Sequence, residues 1–132
     1  MKTLAKFVEL GVPVYLPFGD NEKADLIAEF GGKLNRIQVK TSCKAEDGKM
    51  IFSLVSSTVH RQNGVKHIYT ENEIDYFALY NIERDVLMLI SVNEPELPEK
   101  SITIRYTKPK STNQFKTFME NDYLLETTIS NL

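Results

Sequence analysis

Leu4, Phe7, Val8 and Leu10 recur at near-helical spacing, with Gly11 where a C-terminal cap is needed and Pro13 two residues later. That spacing predicts a short first helix ending at Gly11. Val12 to Phe18 is rich in β-formers and is closed by Pro17 and Gly19-Asp20-Asn21, which reads as an edge strand running into a turn. Asp25 to Phe30, Lys33 to Thr41 and Met50 to Ser57 read as three further strands, the first two joined at Gly31-Gly32. Polarity rises from Thr58 to Lys66, and Gln62-Asn63-Gly64 supplies turn chemistry, so a surface loop is expected there. Thr70-Glu71-Asn72-Glu73 has capping-box spacing, but the aromatic content of Asp75 to Tyr80 belongs to a strand, so any helix is one turn long. Val86 to Val92 is the continuous apolar run of a strand buried on both faces, which places it at the sheet centre. Glu94 to Glu99 is an acidic, proline-punctuated linker, and Ile102 to Tyr106 alternates as another strand. The tail after Lys108-Pro109-Lys110 is polar, with Phe115, Phe118, Tyr123, Leu124 and Leu125 available to dock on the core.

Composition narrows this picture to one globular domain over residues 1–132, because a chain of that length with 42% hydrophobic residues can bury a modest core. The longest apolar run, Val86 to Ile90, is too short to span a bilayer, and the first residues lack a signal-peptide layout. A soluble, cytoplasmic protein with no membrane partner is expected. The single Cys43 excludes an internal disulfide and a cysteine-rich zinc site. The net charge of -2 conceals an asymmetry: residues 1–70 hold 10 Lys and Arg against 7 Asp and Glu, whereas residues 71–132 hold 6 against 11. A neutral total argues against a nonspecific DNA-coating protein and leaves room for a local basic groove. Lys33, Arg36, Lys40, Lys44 and Lys49 lie in or near the Gly-Gly hairpin, followed by Arg61, Lys66 and His67. A solvated charged face is the plain alternative for each of them.

Candidate chemistry gathers on the hairpin. Side-chain alternation turns Gln38 and Lys40 to one face and Val39 to the other, while the Gly-Gly turn folds their strand back beside Asp25. A carboxylate, an amide oxygen and an ammonium thereby meet at one edge, a trio suited to holding a divalent metal against a phosphodiester. The order helix, strand, strand with Asp, turn, strand with Gln-x-Lys resembles the PD-(D/E)xK nuclease superfamily. Within it the similarity is to small bacterial and phage-type endonucleases that include an intron-encoded homing enzyme with Gln in place of the usual Glu. Pro17-Phe18-Gly19-Asp20, Asp25-Leu26-Ile27, Arg36-Ile37-Gln38-Val39-Lys40-Thr41, Tyr69-Thr70-Glu71-Asn72-Glu73-Ile74-Asp75-Tyr76-Phe77-Ala78 and Asn113-Gln114 all stand in the expected order.

The resemblance implies an α/β, restriction-endonuclease-like fold, a central mixed β-sheet flanked by helices. It implies a metal-dependent DNA endonuclease that hydrolyses phosphodiester bonds. Asp25 would be the direct carboxylate ligand, Gln38 would supply a neutral oxygen, and the Val39 carbonyl would complete that side of a Mg2+ (or Mn2+) shell. Lys40 would orient the nucleophile or offset charge on the phosphate oxygens. Lys44, Arg61 and Lys66 are candidate phosphate contacts, and Asn113 and Gln114 candidate readers of base edges, against a polar surface turn as the competing reading. DNA is the implied partner, and a homodimer or homotetramer is expected because cutting both strands takes two single-site copies.

Two departures qualify the resemblance. Ala24 replaces the proline of the family motif, which supplies no ligand. Relatives also carry a glutamate near the start of the first helix, and the spacing projects it immediately before Met1; Glu9 lies more than two turns further on and does not take its role. Three readings of that gap are open: a start set too late or a trimmed chain, a nuclease that manages with a thinner metal shell, or a catalytically inactive DNA-binding or interaction domain on the same scaffold. Asp20 is read first as a turn-capping residue, His60 and His67 as solvent or phosphate contacts, and Thr41 and Ser42 equally as phosphate contacts or strand-end hydrogen-bonding groups.

Overall fold

The structure is a computed structural model in which residues 2–18, 24–55, 69, 71–110 and 116–132 are described. In chain order the elements are α1 (Lys2–Glu9), β1 (Val14–Tyr15), β2 (Leu26–Phe30), β3 (Lys33–Ser42), β4 (Lys49–Ser53), β5 (Tyr76–Asn81), β6 (Val86–Ser91), β7 (Ser101–Arg105), β8 (Phe118–Met119), α2 (Glu120–Tyr123) and α3 (Leu125–Ser130). Helix α1 buries Thr3 and Phe7 while Val8 and Leu10 remain exposed. It stops at the predicted glycine: Gly11 adopts φ +74°, and its N–H donates to the Val8 carbonyl at 2.9 Å. Only a residue without a Cβ enters that conformation at little cost.

The strands form a five-stranded mixed sheet in the order β1-β2-β3-β5-β6 and a three-stranded sheet in the order β4-β7-β8. In the larger sheet β3 and β5 run parallel, and the other neighbours are antiparallel. Gly31 and Gly32, both at positive φ, make the two-residue turn that pairs Phe30 with Lys33. Such a turn matches the right-handed twist of the strands it joins and fixes the register of everything beyond it.

Alternation along β5 and β6 splits the core in two. Phe77, Leu79, Met88 and Ile90 pack with Met50, Phe52, Ile102 and Ile104 of the smaller sheet. Ala78, Tyr80, Leu87 and Leu89 face the other way, against Phe7, Leu26, Ile37 and Leu125. The parallel junction of β3 and β5 is pinned at its start by Asp75, which accepts from the Arg36 N–H at 2.8 Å, Nε at 3.1 Å and Nη2 at 3.2 Å. The same guanidinium donates to the carbonyls of Glu71 and Asn72, so the turn at residues 71–73 is tied to β3.

One expectation about the sheet is overturned. β6 is an end strand of the larger sheet, whose centre is β3. Its continuous apolar run arises because both of its faces are covered, and because the outer edge is met by a bridge between Met88 and Leu124. A covered end strand leaves the same sequence trace as a central one. The tail docks as foreseen through Phe118 and Leu125, both buried, and partly through Tyr123 and Leu124, while Phe115 lies outside the described residues. Among the described residues no helix is long and apolar enough to cross a membrane.

Candidate functional site

The site lies where β2 and β3 part. The Asp25 N–H donates to the Ile37 carbonyl at 2.8 Å. Its carboxylate then takes the place of the next ladder acceptor, because Asp25 Oδ2 receives the Val39 N–H at 2.9 Å. The same oxygen accepts from Gln38 Nε2, also at 2.9 Å. Asp25 is exposed, whereas Gln38 is buried at 9% exposure, so the carboxylate stands at the rim and the amide behind it. With its nitrogen turned to Asp25, the Gln38 amide has its oxygen free of that contact, an acceptor that a cation or its bound water can use.

Register fixes the remaining member of the trio. Gln38 is the parallel-strand neighbour of Phe77, and Lys40 of Leu79, so both project toward the smaller sheet, while Val39 packs on the opposite core. Lys40 Nζ makes no direct bond to Asp25 or Gln38; it donates to the Val55 carbonyl at 2.5 Å and sits 5.3 Å from the centroid of the Tyr69 ring. Burial pushes the Lys40 ammonium below the usual lysine range, and the charge of Asp25 pulls it back up. A half-desolvated ammonium within electrostatic reach of a rim carboxylate can support negative charge building on a nearby oxyanion.

On the Val39 side an open cleft of about 510 Å3 leads to Asp25, walled by Lys2, Thr3, Thr41, Tyr80 and Ile82. Among the described residues no three His, Cys, Asp or Glu side chains cluster at metal-binding distances. Among the described residues the donor set at Asp25 is one carboxylate, one amide and backbone carbonyls. Those oxygen donors fit a hard divalent cation retaining much of its water.

The structure therefore brings Asp25, Gln38 and the Val39 backbone together and places Lys40 on the Gln38 face of the same strand. Lys44 is exposed just beyond β3. Arg61, Lys66, Asn113, Gln114, Asp20, His60 and His67 lie outside the described residues. Arg36, counted among the basic residues of the hairpin, is engaged internally by Asp75 and two carbonyls. Val55 and Tyr69 are partners of Lys40 that the sequence does not reveal. No local signal marks them, since they come from distant points of the chain.

The sequence pattern of the PD-(D/E)XK endonuclease family matches residues 1–126. No curated protein sequence matches the chain. Among solved structures it is similar to that of a bacterial homing endonuclease, I-Ssp6803I, with a TM-score of 0.70 and 18% identity, over 98% of this chain and 88% of that one. At that identity the likeness speaks for the fold, and it agrees with the mixed sheet described above. The match of the family pattern over nearly the full length establishes that the chain belongs to the PD-(D/E)XK endonuclease family.

Proposed function

We propose that this protein is a divalent-metal-dependent DNA endonuclease of one domain, working in the cytoplasm as a homodimer or homotetramer. The observation that carries this reading is the single Asp25 carboxylate held by Gln38 and the Val39 N–H at the parting strands, with Lys40 on the same face as Gln38. Asp25, the Gln38 amide oxygen and the Val39 carbonyl would hold Mg2+ or Mn2+. When bound, the metal would polarise the scissile phosphate and lower the pKa of a water. The chain's own contribution is positioning: the hydrogen bonds to Asp25 hold its carboxylate in one orientation, and Lys40 offers a half-buried positive charge to the phosphate oxygens. Lys44, with Arg61, Lys66, Asn113 and Gln114, would contact the DNA around that point.

A competing reading, a DNA-binding domain that does not cut, shares this scaffold. The two are separated by Lys40→Ala and the parent protein, assayed for duplex binding and for plasmid nicking over a Mn2+ titration. Removal of a single electrostatic stabiliser costs roughly a hundred- to a thousandfold in rate, so the variant keeps its affinity for DNA and loses cleavage. Equal cleavage by variant and parent removes Lys40 from the chemistry. Binding by the parent with no product under any metal favours the non-cutting domain.

A further inference from the structure

Lysine carries its charge on a flexible four-carbon stem whose rotamer freedom must be lost to hold it still, so an ammonium that must face a reacting phosphate needs its other directions fixed. Here two directions are taken. One is the hydrogen bond to the Val55 carbonyl, and the other is the Tyr69 ring, whose centroid is 5.3 Å from Nζ. An ammonium has three N–H groups, which leaves a donor for the approaching substrate. The ring is itself held: Tyr69 packs edge-on against Phe77, with centroids 6.0 Å apart at an interplanar angle of 83°. Phe77 is only 2% exposed and is the register neighbour of Gln38, so one core residue of β5 stands behind both Gln38 and the ring that faces Lys40.

We propose that Tyr69 is a positioning residue for Lys40, its ring and the Val55 carbonyl together holding the ammonium in the direction in which it meets the scissile phosphate. The inference deepens the nuclease reading above and rests on it. The attraction in this contact comes from the ring face, which Tyr69→Phe keeps.

The test compares Tyr69→Phe, Tyr69→Leu and Lys40→Ala, alone and combined, in single-turnover plasmid cleavage with DNA affinity measured in parallel. The lysine ε-methylene resonances are followed by NMR, with that of Lys40 assigned by its loss in Lys40→Ala. Tyr69→Leu lowers the cleavage rate about tenfold, the size of a partly desolvated cation–π contact, with DNA affinity within about twofold. Tyr69→Phe stays within about threefold of the parent, and in a Lys40→Ala background Tyr69→Leu causes no further loss. The Lys40 ε-methylene resonance is expected to be shifted upfield by the ring current in the parent and in Tyr69→Phe, and to move downfield in Tyr69→Leu. Should Tyr69→Leu fail to fold, Tyr69→Met keeps apolar volume against Phe77 and serves in its place. An unmoved Lys40 resonance, a loss that persists without Lys40, or a Phe variant as slow as the Leu variant overturns the proposal. If the parent cuts no DNA while its Lys40 resonance behaves as described, the nuclease reading falls and takes the catalytic role of the contact with it, although the contact itself stands.

Discussion

Replacing Asp75 by alanine removes the pin between β3 and β5. The carboxylate accepts three hydrogen bonds from Arg36, at 2.8, 3.1 and 3.2 Å, and the two side chains are 27% and 38% exposed. Charge-assisted hydrogen bonds of this kind contribute roughly 1.5–3 kcal/mol when buried, and the exposure of Arg36 screens part of that, so a loss of about 2 kcal/mol is expected. Unfolding entropy of about 2.1 cal/mol/K per residue gives about 0.28 kcal/mol/K for 132 residues. The thermal midpoint of Asp75→Ala should then fall by about 7 °C near neutral pH. Burial alone would raise the Asp75 carboxyl, but the hydrogen bonds and charge of Arg36 bring it below its ordinary value of 3.8. A carboxylate with a lowered folded pKa stabilises above the unfolded value and loses that contribution as the pH falls through the folded one. The gap between parent and variant, measured by calorimetry in stepped buffers, should therefore narrow below about pH 4. An unchanged midpoint at neutral pH, or a gap as wide at pH 3 as at pH 7, refutes the assignment.

Asp25→Asn should leave the fold intact and lower plasmid cleavage by about a hundredfold or more, checked by circular dichroism beside a gel assay. Gly48→Ala should destabilise by more than about 2 kcal/mol in urea unfolding, because Gly48 holds φ +76° and an added Cβ would collide with the Thr107 side chain. Asn35→Ala should cost about 2 kcal/mol by the same method, since the buried amide nitrogen donates to the carbonyls of Ala28, Phe30 and Lys33. Affinity for duplex DNA should fall linearly on a log-log plot against salt, as phosphate contacts require; a flat plot excludes them as the basis of binding.

Much of the site was legible because it is built within one hairpin. The Gly31-Gly32 turn fixes the register, and alternation then dictates that Gln38 and Lys40 share a face beside Asp25. What was not legible came from farther away. The Val55 carbonyl is a backbone group 15 residues beyond Lys40 and carries no side-chain signature. Tyr69 could be read only as an aromatic of the matching segment. The Arg36 guanidinium, a plausible phosphate contact by composition, is committed to a carboxylate 39 residues along the chain. The position of β6 escaped for a different reason: burial of a strand records how its faces are covered and not where it stands in the sheet.

The larger sheet ends differently on its two sides. Beside β6 the bridge from Leu124 obstructs further pairing, whereas beside β1 the outer backbone has no strand against it among the described residues. Pro13 and Pro17 bracket that two-residue strand, and neither has an N–H to give. A visiting strand would find a ladder with few rungs. Copies of this chain are thus discouraged from fusing their sheets into one through this edge, which leaves the hairpin carrying Asp25 and Lys40 undisturbed by strand exchange on that side.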